Sequence, residues 1–339
     1  MYINRNINFK VFLHKAFTPI LFLALYGAFI VVLYEYFHMT WIKLPWSILS
    51  IVGTAVAFYV GFKNNSAYAR TWEARKIWGA IINSSRTWGI LARDYTSNLF
   101  VKGEPLEEGE LYQIHKELIL RHIAWAYRLR RQLWKPQPWE HSHKLSNEVR
   151  KNLGDKFASL SEEDELKMFI EDNEVDELLK RKNICTQIIS NQSKRLLELR
   201  EKGLIDDFRH VELQKLLQDL YTQQGKCERI KNFPLPRQYA NTSFVLTVLI
   251  VFLLPFGMVS QFSAMGEGLV WLTIPFTTIV GGIYFIMELV GDFAENPFEG
   301  LAFDTPMTSL CNTIEIDLKE MLGKEELPEK VKPHGHILM

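Results

Sequence analysis

The side chains best able to do chemistry in this 339-residue chain fall into three groups, and two of them fail on their surroundings. His141 with His143, and His334 with His336, have the one-residue separation of some metal sites. Neither pair has a cysteine nearby, and a site needs three or four converging ligands, so both pairs read as solvated loop residues. Trp125, Trp134 and Trp139 lie close to Arg128, Arg130 and Arg131, a mixture that can stack on nucleic acid; on a helix beside apolar spans it reads as an aromatic core with a basic rim. The third group lies on one helix. At about 100° per residue, Ser47, Ser50, Thr54, Gly61 and Asn65 share a narrow stripe with Phe58, while Ile48, Val52, Val56 and Tyr59 lie on the far side. Phe62 flanks the stripe one turn beyond Phe58. A stripe of small and hydroxyl residues in an apolar helix can pack closely against another helix or face water. A large aromatic among them spoils close packing and suits a hydrophobic constriction, so the chemistry is the loose handling of ions rather than bond making.

The element that must carry this stripe is membrane-length at one end and basic and aromatic at the other. Pro45 to Trp78 runs from apolar residues straight into Lys63, Arg70, Trp72, Arg75 and Lys76, as a continuous rod leaving a bilayer would. Three further stretches match its apolar part, Leu44–Phe62, in character: Phe17–Phe37, Phe244–Val259 with its upstream residues, and Leu269–Val290. The first is too long for a signal peptide and lacks a small-residue cleavage pattern. The 39 basic and 39 acidic side chains cancel, but they are segregated. Arg5, Lys10 and Lys15 precede the first span, Arg229, Lys231 and Arg237 precede the third, and the loop Ser260 to Gly268 has no Lys or Arg. Both termini and the long middle region are therefore expected on the cytoplasmic side of the cell inner (plasma) membrane. Cys185, Cys227 and Cys311 are expected as free buried thiols. Between residues 64 and 236 apolar residues recur at helical spacing, broken by Pro136-Gln137-Pro138 and by Gly203. Lys324 to Met339 reads as a frayed tail. No phosphate-binding glycine loop, Gly-x-Ser-x-Gly elbow or His-Glu-x-x-His helix is present, so no enzyme, cofactor, metal site or nucleic-acid partner is expected.

Asn64 through Gly79, followed by Ser84-Ser85-Arg86, resembles the bacterial branch of the bestrophin family. Cys227-Glu228-Arg229-Ile230 with Pro234-Leu235-Pro236, and Glu295-Asn296-Pro297-Phe298 after the last span, agree with the same family in the same order. The resemblance implies an all-α integral membrane protein with four transmembrane helices per subunit and a large helical cytoplasmic region, assembling as a homopentameric channel. The corresponding divisions are 1–16, a first transmembrane hairpin 17–63 whose second helix lines the pore, a cytoplasmic domain 64–236, a second hairpin 237–290 and a C-terminal segment 291–339.

Carried over residue by residue, the family's neck matches Thr54, Phe58 and Phe62, departing at Thr54, where a bulky aliphatic or aromatic residue is usual. The cytoplasmic aperture matches Phe208, with Val211 as the reserve. Animal members bind calcium after Asn-Pro-Phe with a run of acids. Here that stretch is Glu299-Gly300-Leu301-Ala302-Phe303-Asp304, which offers too few oxygens for the six to eight calcium takes, so calcium activation is not expected. Asp292, Glu295 and Asp304 read instead as partners for the basic end of the second helix or as caps. The expected function is passive conduction of small monovalent ions, chloride or other anions, through an axial pore with a hydrophobic neck. A monovalent-cation channel of the same fold, a membrane-anchored scaffold and a carrier are the rivals.

Overall fold

A computed structural model of the chain describes residues 1–5, 9–141, 160–266, 268–323 and 326–339. Ten α-helices and three short 3-10 helices account for the regular structure of these residues, with no strand beyond isolated antiparallel bridges of Tyr2 and of His334 to Ile337. The chain divides into two compact units, one of residues 4–71 and 234–296, the other of residues 1–3, 72–233 and 297–339.

The first unit contains α1 (Phe9–Glu35), the N-terminal part of α2 (Trp46–Tyr95), α8 (Arg237–Met265) and α9 (Thr273–Ala294). Each is long and apolar enough to cross a membrane. Pro45 starts α2 by setting an extended entry, and Gly266 and Gly268, at φ 150° and 80°, turn the chain after α8. The interior is small, centred on Leu49, Val56, Val60, Ile250, Leu254 and Met258. Large apolar side chains stay exposed on every one of these helices: Phe22 and Leu25 on α1, Ile51 on α2, Phe252 on α8, Ile279 on α9. That inversion suits hydrocarbon and would be untenable in water.

The second unit holds the rest of α2 with α3 (Glu108–Leu133), α4 (Glu162–Lys167), α5 (Asp172–Leu179), α6 (Ile184–Glu201), α7 (Asp207–Asn232) and α10 (Met307–Met321). Several of its helices start on side-chain caps. Glu107 and Glu110 form a capping box on α3, the Asn183 carboxamide accepts from the Thr186 N–H at 3.2 Å, and Asp206 accepts from Phe208 and Arg209. Gly203 ends α6 at φ 74°, where a Cβ would lie 2.9 Å from the Phe100 carbonyl oxygen. Trp78, Trp88, Trp125 and Tyr127 fill the core, and all three cysteines are buried thiols outside any disulfide.

Two expectations are corrected here. Arg128 and Arg130 are not a rim. Arg130 lies inside, between the rings of Tyr127 and Trp134 at 5.2 and 4.7 Å, with its guanidinium donating to Glu165 at 2.7 Å. A planar cation with aromatic faces and a carboxylate edge can be buried where an ammonium of equal charge would cost more. The C-terminal segment is not frayed either, for residues 326–339. Its polar backbone finds partners on α10: Val331 N–H donates to Asn312 at 3.1 Å, and Ser309 N–H donates to the Met339 carbonyl at 2.6 Å. Lys324 lies outside the described residues.

Candidate ion pathway

The stripe on α2 is a real surface of the first unit. Thr54, Phe58, Gly61, Phe62 and Asn65 are all exposed, Phe58 and Phe62 by 66% and 69%, although both are large and apolar. Leu49, Val56, Val60, Lys63 and Ala67, on the opposite side, are buried. Ile48 departs from expectation: it lies with the exposed arc, because the packed face centres on Val56 and Val60 and Ile48 falls at the arc's margin. Thr54, Phe58 and Phe62 line a groove of about 820 Å³ whose floor is Ile250, Leu254 and Tyr284.

Chemically the stripe is nearly inert. Thr54 donates its hydroxyl proton to the Ser50 carbonyl, and Ser50 donates to the Ser47 carbonyl, each at 2.8 Å. These hydroxyls therefore satisfy their own helix and turn only oxygen lone pairs outward. No charged side chain shares the stripe between Ser47 and Asn65. Lys63, which the sequence places at its end, turns the other way, into an ion pair with Glu288 of α9.

A seam of polar contacts fixes α2 against α9. Tyr284 donates to the Gly53 carbonyl at 2.9 Å, Asn64 to the Met287 carbonyl at 2.8 Å, Thr71 to the Ala294 carbonyl at 2.8 Å, and Arg70 Nε to the Glu295 carbonyl at 2.9 Å. The last two satisfy carbonyls that the end of α9 leaves without helical partners. The Glu295 carboxylate also accepts from Arg237, at the start of α8 rather than at the basic end of α2, at 2.9 Å.

Phe208 and Val211 lie in the first turns of α7 in the second unit, exposed by 87% and 49%. Their turn is braced by Arg209, whose guanidinium lies over the rings of Tyr95 and Phe100 at 5.4 and 5.2 Å and pairs with Asp206 at 3.2 Å. An exposed phenylalanine on a braced turn is a fixed apolar projection.

The turn after Asn-Pro-Phe is closed by protein groups. Asp304 accepts from the backbone N–H groups of Phe298, Gly300 and Thr305 at 3.0, 2.8 and 2.6 Å, so both of its oxygens are committed. Beside it Lys231 pairs with Glu140 and reaches the Phe298 carbonyl at 3.5 Å; burial pulls the Lys231 ammonium below its usual range. His141 is held by Glu299, Nδ1 to Oε2 at 2.9 Å, rather than in a solvated loop. His143 lies outside the described residues. Among the described residues no three His, Cys, Asp or Glu side chains converge as a metal site. Glu288 and Ser243 are the residues that sequence reasoning missed. The signal was available: Glu288 is a lone acid in an apolar span, and an ionisable residue there is a functional candidate by default.

The family model described as bacterial/fungal bestrophin protein matches residues 9–320. The chain is 27% identical over 326 residues to the voltage-dependent anion channel-forming protein YneE of Escherichia coli K12, a match covering 96% of this chain and 92% of the relative. It is 27% identical over 310 residues to the voltage-dependent anion channel-forming protein mll4386 of Mesorhizobium japonicum, covering 91% and 85%. The crystal structure of a bacterial bestrophin homologue from Klebsiella pneumoniae superposes with a TM-score of 0.74 at 22% identity, covering 91% of this chain and 99% of that one.

Proposed function

The chain belongs to the bacterial/fungal bestrophin family, a membrane channel family, and from that premise we propose that it forms a homopentameric channel for passive conduction of small monovalent ions. The observation that carries this reading is the exposed Thr54, Phe58 and Phe62 stripe on α2. Among the described residues one helix carries such a stripe, so several copies must surround an axis to close a wall. In that arrangement Phe58 and Phe62 form the neck, Thr54 its outer edge, and Phe208, with Val211 as the alternative, the cytoplasmic aperture.

Aromatic rings in such a neck exclude water and gate by dewetting, while their positive edges stabilise an anion weakly enough to release it. Chloride or another small anion is the proposed ion, in line with the anion-channel names of the relatives. The cation-selective reading is favoured by a different observation: Lys63 is neutralised by Glu288, and the stripe offers hydroxyl lone pairs rather than protons. The membrane orientation follows the positive-inside rule, with both termini and the middle region cytoplasmic at the inner membrane. Reversal potentials of purified protein in planar bilayers under a potassium chloride gradient decide between the two ions. Native mass spectrometry giving a clean monomer would sink the channel assembly itself.

A further inference from the structure

We propose that the buried pair of Lys63 and Glu288, completed by Ser243, is the positioning device that sets the rotation of α2 about its own axis and so decides which side chains the neck presents. The inference rests on the reading of Thr54, Phe58 and Phe62 as a neck.

Lys63 follows Phe62 directly, so its direction and that of the stripe are locked together at about 100° per residue. Its side chain is 2% exposed and that of Glu288 9%. Lys63 Nζ donates to Glu288 Oε1, and Ser243 Oγ of α8 donates to Oε2 at 2.5 Å, so one carboxylate ties three helices together. A charge at this depth in an apolar bundle is costly unless paired, which makes any roll of α2 that separates the two groups unfavourable. The apolar contacts around Val56 and Val60 have no such selectivity. Ala57 and Tyr59 lie about 100° to either side of Phe58, so a partial roll of α2 in either direction moves Phe58 off the stripe and brings one of them toward it. Gly291 supports the same register, because a Cβ there would collide with the Asn64 side chain. The neutral hydrogen bonds of the seam are weaker than a charge-assisted one, and its one charged donor, Arg70, lies about two turns beyond Lys63 along α2.

The test reads helix rotation directly. Single substitutions Phe58→Cys, Phe62→Cys, Val56→Cys, Val60→Cys, Ala57→Cys and Tyr59→Cys are made in the full chain. The native Cys185, Cys227 and Cys311 are buried, so they form an unreactive background. Reconstituted protein is treated with a charged, water-soluble methanethiosulfonate, and modification is followed by intact mass. With the pair intact, positions 58 and 62 react and positions 56 and 60 do not. In the background Lys63→Met/Glu288→Leu, which removes both charges so that neither is left unpaired, reactivity spreads to 59, or falls at 58 while it rises at the groove-lining 57. The swap Lys63→Glu/Glu288→Lys restores the narrow pattern. Lys63→Gln/Glu288→Gln gives the same contrast should the apolar pair fail to assemble.

An unchanged narrow pattern in an assembled charge-free variant overturns the proposal. So does a swap that behaves like the charge-free pair. Failure of positions 58 and 62 to react in the intact background refutes the neck reading separately, and the pair's role is still read from whether the pattern moves.

Discussion

Acidification from pH 7 to pH 5 should weaken the unit built on α3 by about 2 kcal/mol through a single side chain, His122. This residue is buried between the rings of Trp88 and Trp125, with centroids at 6.0 and 5.3 Å. Its Nε2 lies 2.8 Å from Ser85 Oγ, whose own proton goes to the Ile81 carbonyl at 2.7 Å. Ser85 therefore accepts, Nε2 carries the hydrogen, and the ring is held neutral. A second proton would bring a charge into an aromatic sandwich, and burial pushes the pKa from 6.5 down to about 3. Below pH 6.5 the unfolded chain binds a proton that the folded chain refuses, so stability falls as pH falls, by about 1.4 kcal/mol per unit. The Met1 ammonium, lowered by burial to about 6, titrates in the same window, so the His122 contribution is read from the difference between parent and variant.

His122→Phe keeps the stack, leaves Ser85 bonded to Ile81 and removes the titrating group. The assay is the thermal midpoint of detergent-solubilised protein between pH 7 and pH 5, followed by tryptophan fluorescence. The variant should show a flatter pH dependence than the parent. Equal slopes would refute the argument and mean that His122 either charges in place or is not a stabilising core residue.

Phe58→Ala/Phe62→Ala should raise single-channel current by widening the dewetted neck; unchanged conductance in an assembled variant would move the constriction elsewhere, first to Phe208. Asp304→Ala strands three buried N–H groups and should cost on the order of 3–6 kcal/mol by denaturant titration, while conduction in bilayers stays independent of calcium. Activation by micromolar calcium would show that the turn binds the ion after all. Lys231→Met leaves Glu140 charged and buried and should destabilise by about 3–5 kcal/mol, and Lys231→Met/Glu140→Leu should recover most of that in a double-mutant cycle.

Much of the architecture is written locally. Four apolar stretches of membrane length announce themselves by hydropathy, and the neck stripe emerges from the 3.6-residue period, because both signals are confined to neighbouring residues. What the sequence hides is contact at a distance. Lys63 belongs by its neighbours to a basic helix end, yet its environment is set by Glu288, 225 positions later. Arg130 reads as rim because arginine usually is, and only the stacking of Tyr127 and Trp134 with Glu165 makes an interior place for it. The 326–339 segment is polar and proline-containing, which describes a loose end equally well until Asn312 and Ser309 supply its hydrogen bonds.

The separation of Lys63 from Glu288 also orders events on the ribosome. At roughly 5–20 residues per second, the chain grows for about 10–45 s after Lys63 is made before its counter-charge exists. During that interval α2 carries an uncompensated ammonium, which can reach for the headgroups but cannot rest in hydrocarbon. The N-terminal hairpin must therefore wait, shallow or shielded, for the last span to arrive. With Lys63 in place, nascent chains arrested before Glu288 should leave a cysteine at the buried position 60 open to labelling, whereas completed chains should close it.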